Sequence, residues 1–255
     1  MRLNQIARRN FAKTMLVSLI GVSTISYSAI TLDRTRAIYN GSQKSLSITL
    51  SNKNKHLPYL AQAWIEDSTY KKGSSPFIIL PPLQRIEAGE SNQVRIETST
   101  KINQLPQDRE SLYYFNIREV PPKSDKPNVM QIALQSKIKL FYRPQGLEVN
   151  PTELIDNPWQ NKLLLKKQND ELIAKNPTPY YVTILTVRQS KDGPDAPNFE
   201  AKMVAPFSQE VLPVKAQWVG NTPVVTYIND YGGRPQLQFQ CQVNDCYVTD
   251  TPIKE

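Results

Sequence analysis

Histidine is almost missing from this chain: His56 is the only one in 255 residues. A Ser-His-Asp site or a histidine-rich metal centre would have to be built around it. Its surroundings, Asn54-Lys55-His56-Leu57-Pro58, read as an exposed turn. No glycine-rich loop precedes a helix, so the phosphate-cradling strand–loop–helix is missing too. No long helix pattern is present. No dense Lys/Arg stripe with interleaved aromatics occurs, which argues against nucleic acid as the main partner. These gaps argue against an enzyme and give no reason to expect a metal or a cofactor.

Long apolar runs are also scarce. The only one, Met15-Leu16-Val17-Ser18-Leu19-Ile20-Gly21-Val22, is diluted by Ser23, Thr24 and Ser26 and falls short of the ~20 apolar residues a spanning helix needs. Arg2, Arg8, Arg9 and Lys13 precede it, and the small residues Ser26 and Ser28 precede Ala29. A basic stretch, a short apolar stretch and small residues before a cut describe a secretory signal peptide at residues 1–28. Cleavage after Ser28 is expected, with Ala29 as the mature N-terminus and no stable membrane insertion. Removing those four basic residues lowers the formal net charge from +8 to +4, so the mature chain is only mildly basic.

Cysteine occurs twice, at Cys241 and Cys246. A zinc site needs four ligands, and His56 lies far away in sequence. In an exported chain, an even count at short spacing reads as a disulfide, here across a hairpin end. Closing so short a loop stabilises by only about 2 kcal/mol.

What the chain does contain is short β-type runs. Leu46, Ile48 and Leu50 alternate with serine and threonine, the pattern of a half-buried strand. Leu60 to Ile65, Val94 with Ile96, and Tyr113, Phe115 and Ile117 continue the series. Asn40-Gly41, Gly73 to Pro76, Pro81-Pro82 and Ala88-Gly89-Glu90 punctuate it. After Pro144-Gln145-Gly146 the pattern restarts, with Pro151 and Pro158 marking non-repetitive chain. A second set follows at Leu163 to Leu165, Tyr180 to Val187, Val211-Leu212, Val224 to Ile228 and Leu237 to Val243. Regularly spaced strands of this kind predict two all-β domains, sandwich or barrel, with a boundary near Gln145–Asn150.

One run stands out. From Val129 to Arg143 the sequence reads as a single strand more than twice the usual length of about five or six residues. Met130, Ile132 and Leu134 fall on one side of it, and Gln131, Ala133 and Gln135 on the other. These apolar residues could line their own sandwich. Alternatively, the strand could complete another protein's sheet, filling its pockets while a cation near the end holds an anionic group. Arg36, read as lying in the first strand, and Lys137 and Lys139, in the long one, read equally well as ordinary strand-edge cations, and Glu110, Arg143 and Asp230 as unrelated surface charges.

The segment from Leu105 to Pro121, LPQDRESLYYFNIREVP, resembles the signature of periplasmic pilus chaperones of the chaperone–usher pathway. Leu32-Asp33-Arg34-Thr35-Arg36-Ala37-Ile38-Tyr39, Pro58 to Trp64 and Tyr227 to Pro235 also resemble that family, and the likeness covers essentially the whole mature chain. The resemblance implies two immunoglobulin-like β-sandwich domains set at an angle with a cleft between them. Residues 29–146 would form the N-terminal domain carrying a donor strand, and residues 147–255 the C-terminal domain. It implies that Arg36 and Lys139 anchor the C-terminal carboxylate of a pilus subunit, and that Met130, Ile132 and Leu134 enter the subunit's incomplete sandwich. It further implies an interdomain ion-pair network of Glu110, Arg143 and Asp230. The expected partners are pilus subunits, the adhesin, an outer-membrane usher and, for the free protein, a second copy of itself. The rival reading is an immunoglobulin-like structural or adhesive protein, such as a pilus subunit.

Overall fold

A computed structural model describes residues 28–73, 75–125 and 127–249. Apart from Ser28, the expected signal peptide lies outside the described residues. The first part of the chain forms nine strands: β1 (Ile30–Leu32), β2 (Arg36–Asn40), β3 (Ser45–Asn52), β4 (Tyr59–Asp67), β5 (Phe77–Leu80), β6 (Leu83–Ile86), β7 (Ser91–Thr98), β8 (Ser111–Val120) and β9 (Gln135–Arg143). They form two sheets, ordered β1-β3-β7-β5 and β2-β9-β8-β4-β6. The period-2 patterns explain the sandwich. Ile48, Leu50, Val94 and Ile96 turn inward from the first sheet, and Ala61, Ala63, Phe115, Ile117 and Leu140 from the second, into one buried core. Tyr39, Phe77 and Tyr142 pack edge to edge at its end, with Tyr39 and Phe77 centroids 5.3 Å apart. Fully burying a large side chain of this kind contributes about 1.5–3 kcal/mol.

Two expectations need correction. Arg36 does not lie in the first strand. The chain runs antiparallel to β3 as β1, turns at Asp33-Arg34-Thr35, and joins the other sheet as β2, parallel to β9. The run Val129–Arg143 is not one strand either, because β9 begins only at Gln135. Its partner β8 pairs as far as Arg118↔Gln135 and ends at Val120. Pro121 and Pro122 follow, and without N–H donors they give residues 129–133 no ladder to join.

The second part forms β10 (Leu164–Gln168), β11 (Glu171–Asn176), β12 (Val182–Arg188), β13 (Lys202–Val204), β14 (Ser208–Lys215), β15 (Val224–Ile228), β16 (Gln236–Gln242) and β17 (Asp245–Val248). Hydrogen bonding runs in the order β13-β12-β15-β16-β17-β10-β11-β14. β16 lies in the middle of this order and joins its two halves: Gln236–Gln238 pair with β15, and Phe239–Gln242 with β17. Leu165, Leu172, Ile184, Val225 and Phe239 share the second core. Cys241 and Cys246 sit directly opposite each other on β16 and β17 and form a disulfide across that hairpin. The stretch read as non-repetitive contains a short helix, α1 (Pro151–Asp156). Asn150 caps it by accepting from the Thr152 N–H at 2.9 Å, and Pro151 supplies the preset φ of a first helical residue.

The chain is thus all-β, with two immunoglobulin-like sandwiches set at an angle and a cleft between them. Contacts crossing it include Glu110 N–H to the Pro179 carbonyl at 2.9 Å and Phe141 against Tyr181.

Candidate functional site

The parallel pairing of β2 with β9 puts Arg36 directly beside Lys139. Like charges opposed across strands destabilise a sheet, and no carboxylate among the described residues lies within ion-pair distance of either: Arg36 donates Nη1 to the Ile228 carbonyl at 3.2 Å, and Lys139 donates Nζ to Thr183 Oγ1 at 3.1 Å. Both partners belong to the second domain, so the two cations lie where the domains meet. The Arg36 Nε donor is buried without a hydrogen-bond partner. Burial, and then the neighbouring Arg36 charge, push the Lys139 pKa down to about 8. Burial also lowers that of Arg36, against the pull of Asp230 and Glu110. A guanidinium beside an ammonium, with one buried donor to spare, has the charge and the donors to hold a carboxylate.

Lys137 shows why spacing alone cannot select the residue. It points to the same outward side of β9, two residues away. There Glu66, buried and also accepting from Trp64 Nε1, takes it as an ion pair at 2.7 Å.

Glu110, Arg143 and Asp230 come together from three elements: the start of β8, the end of β9 and the turn after β15. Arg143 donates Nε and Nη2 to Glu110 Oε1 at 2.9 and 2.7 Å, and Nη1 to Asp230 Oδ2 at 2.8 Å. The Tyr181 N–H donates to Glu110 Oε2 at 2.8 Å. Burial pushes the Glu110 carboxyl up, to about 7, against the opposing pull of Arg143. Burial also opposes the Arg143 charge, but Glu110 and Asp230 outweigh it and hold its pKa above the ordinary arginine value. The Arg143 guanidinium also covers the Tyr180 ring at 4.9 Å. One side chain thus ties both domains to the strand that carries Lys139.

Above Lys139 along the chain, residues 129–134 run out to solvent. Met130 is 85% exposed, Ile132 63% and Leu134 37%, and Gln131 and Ala133 are exposed too. The Glu119 N–H holds the base of this segment by donating to the Leu134 carbonyl at 3.0 Å. Met130 and Ile132 thus have little cover in their own fold and Leu134 more, and all three precede Lys139 on the same chain segment.

Sequence reading missed Thr183, Tyr181 and the Ile228 carbonyl, the second-domain groups that touch the site. Nothing in their own residue types marks them. The only signal was Pro177 and Pro179 beside the Tyr180 strand, which shape the chain where it meets the first domain. His56 lies in an exposed bend whose N–H donates to Asn54 Oδ1. Among the described residues no group of three or more His, Cys, Asp or Glu could hold a metal, and no helix is long and apolar enough to cross a membrane.

Residues 29–148 match the family model of the pili and flagellar-assembly chaperone PapD N-terminal domain, and residues 158–239 that of the pili assembly chaperone PapD C-terminal domain. The chain is 48% identical to the chaperone protein PapD of Escherichia coli, over 92% of this chain and 97% of that one. Among solved structures, it is similar to the periplasmic chaperone SfaE at 32% identity and a TM-score of 0.64, covering 82% of this chain and 98% of that one. A chain from the complex of the Salmonella enterica SafA pilin with the SafB chaperone matches at 26% identity and a TM-score of 0.68, covering 86% and 99%. With both halves matched in order and nearly the full length of a characterised chaperone covered, the chain belongs to the PapD family of pilus assembly chaperones.

Proposed function

We propose that this chain is a periplasmic, non-enzymatic chaperone that binds pilus subunits and the adhesin by lending them a strand, and hands them to an outer-membrane usher. The observation that carries the reading is the alignment of two elements on one strand path. Arg36 and Lys139 form a cationic pair without a counter-ion among the described residues, and the segment that precedes Lys139 exposes Met130, Ile132 and, in part, Leu134. A subunit whose C-terminal carboxylate docks on the pair would lie along residues 129–133, which precede β9 and belong to no strand of this chain, so that they could offer it a ladder. Each apolar side chain it covers adds up to about 1.5–3 kcal/mol, less the cost of association. The Glu110–Arg143–Asp230 network would fix the cleft so that anchor and strand act together.

Uncovered apolar strands also pair with one another, so the free protein is expected to self-associate through residues 129–134. The periplasmic location rests on the signal peptide read at residues 1–28 and on the likeness to periplasmic SfaE. Subunit binding gains support from the SafA–SafB complex among its structural neighbours.

Arg36→Ala and Lys139→Ala test the anchor. Each removes a charge-assisted contact worth about 1.5–3 kcal/mol without opening a core cavity. Both variants should be folded and soluble yet fail to co-purify with pilus subunits from the periplasm. Wild-type yields of complex from both would refute the assignment.

A further inference from the structure

A buried carboxylate stands beside the start of the mature chain with no cation to match it. Glu119 is 5% exposed, and among the described residues no Lys or Arg lies within ion-pair distance of it. Lys53 shares the pocket beside it but is exposed. Glu119 Oε2 accepts from Ser28 Oγ at 2.9 Å and from the Ile30 N–H at 2.8 Å. Those donors come from the two residues that flank Ala29, so the Ala29 nitrogen lies between them along the chain. Ala29 and Ile30 are themselves buried. Their backbone is fixed from the other side, where the Lys53 N–H donates to the Ala29 carbonyl at 2.6 Å and β1 pairs with β3.

We propose that signal-peptide cleavage completes this site: the α-ammonium released at Ala29 pairs with Glu119. The inference rests on the reading that cleavage falls after Ser28. Hydrolysis of the Ser28–Ala29 peptide consumes one water; Ser28 leaves with the new carboxylate, and Ala29 keeps the amine. Cleavage removes a neutral hydroxyl donor and leaves a charged one in its neighbourhood. An α-amino group of ordinary pKa about 7.7–8.0 is mostly protonated at neutral pH, and a buried carboxylate beside it favours that form further. Among the described residues the uncleaved chain offers Glu119 only neutral donors, and a buried carboxylate so matched is costly. Part of the native stability therefore becomes available only after export. Glu119 also holds the Leu134 carbonyl through its own N–H, so the completed pair would steady the base of the exposed segment as well.

The test compares three forms of the protein: one beginning at a free Ala29, one N-acetylated at Ala29, and one keeping Ser26-Tyr27-Ser28. Each is made with Glu119 and with Glu119→Gln. The free-Ala29 form should melt about 5 °C above both others, from a charge-assisted contact in a chain of this size, and the difference should vanish with Glu119→Gln. Equal melting of free and blocked termini, or a difference that survives Glu119→Gln, overturns the pairing. Should Glu119→Gln fail to fold, the Ala29 α-amino pKa measured by NMR in the Glu119 protein decides: a value above about 8 supports the pair, and an ordinary value overturns it. N-terminal sequencing of the exported protein tests the cleavage reading separately. Ala29 supports it, and any other terminus overturns the link to export whatever the melting curves show.

Discussion

Arg143→Ala should cost about 3–5 kcal/mol of stability, the usual result of removing one partner from a buried ion pair. The Arg143 and Glu110 side chains are only 3% and 2% exposed, so water cannot replace the lost partner. Three hydrogen bonds disappear, and Glu110 keeps only the Tyr181 N–H among the contacts described here. At roughly 2–4 °C per kcal/mol for a chain of this length, the melting temperature should fall by about 6–20 °C. The deficit should shrink as the pH falls from alkaline values toward about 7 and level off below it, since losing Arg143 leaves the buried Glu110 pKa above its wild-type value of about 7 and protonation removes the stranded charge. Arg143→Met paired with Glu110→Gln should recover part of the loss, because the Glu110 charge no longer stands unpaired, while Asp230, its side chain 12% exposed, still loses its partner. Calorimetry on the wild type, Arg143→Met, Glu110→Gln and the double variant closes the cycle. An Arg143→Ala loss under about 1 kcal/mol, or a double variant as unstable as the summed singles, would refute the reasoning.

Two further outcomes follow from the cleft. Binding of a peptide ending in a free carboxylate should be flat below pH 8 and weaken above it by up to about tenfold per unit, because Lys139 must be charged to bind and its pKa is lowered to about 8; pH-independent affinity up to pH 10 would contradict the anchor. In the free protein the sign reverses: folding lowers this pKa from 10.5, so the Lys139 charge opposes folding below about pH 8, and that cost is relieved as the pH rises toward 10.5. Gly232→Ala should destabilise by about 1–3 kcal/mol, since Gly232 sits at φ +84° and an added Cβ would run into Thr35 Oγ1 of the first domain. Adding Thr35→Ala should recover the steric part only, and melting curves unchanged by Gly232→Ala would show that the domains do not meet there as described.

Most of the strand pattern was legible because each sandwich buries one face of its strands, so a period of two survives in the sequence at Leu46, Ile48 and Leu50 and again at Tyr113, Phe115 and Ile117. The pairing of Arg36 with Lys139 was not legible from pattern. It depends on β2 crossing to the second sheet and running parallel to β9, a choice made by Asp33-Arg34-Thr35 and by long-range packing. Family likeness pointed to those two residues where periodicity gave only edge cations. Periodicity also drew the strand too long at Val129, since alternation says which side a residue faces but not whether a partner strand is present to pair with it. The prolines at 121 and 122 carried that information, in a neighbouring segment. Thr183 and Tyr181 stayed invisible because their role comes from where the second domain rests against the first.

Ile132→Asp tests the account's central claim most directly. Ile132 is 63% exposed and makes no part of either core, so the free protein should melt within about 2 °C of the wild type, as exposed substitutions do. Bound to a subunit, the same aspartate would have to enter an apolar pocket as an unpaired charge, a very costly change, and the complex should be lost. Gln131→Asp, one residue away on the opposite side of the extended chain, should leave most of the binding intact. The decisive measurement is the yield of subunit complex from both variants beside the melting temperature of each free protein. Loss of complex with Ile132→Asp alone, at unchanged stability, is the predicted result. Collapse of the free protein with Ile132→Asp, together with lost binding in Gln131→Asp, would contradict strand donation by Met130, Ile132 and Leu134.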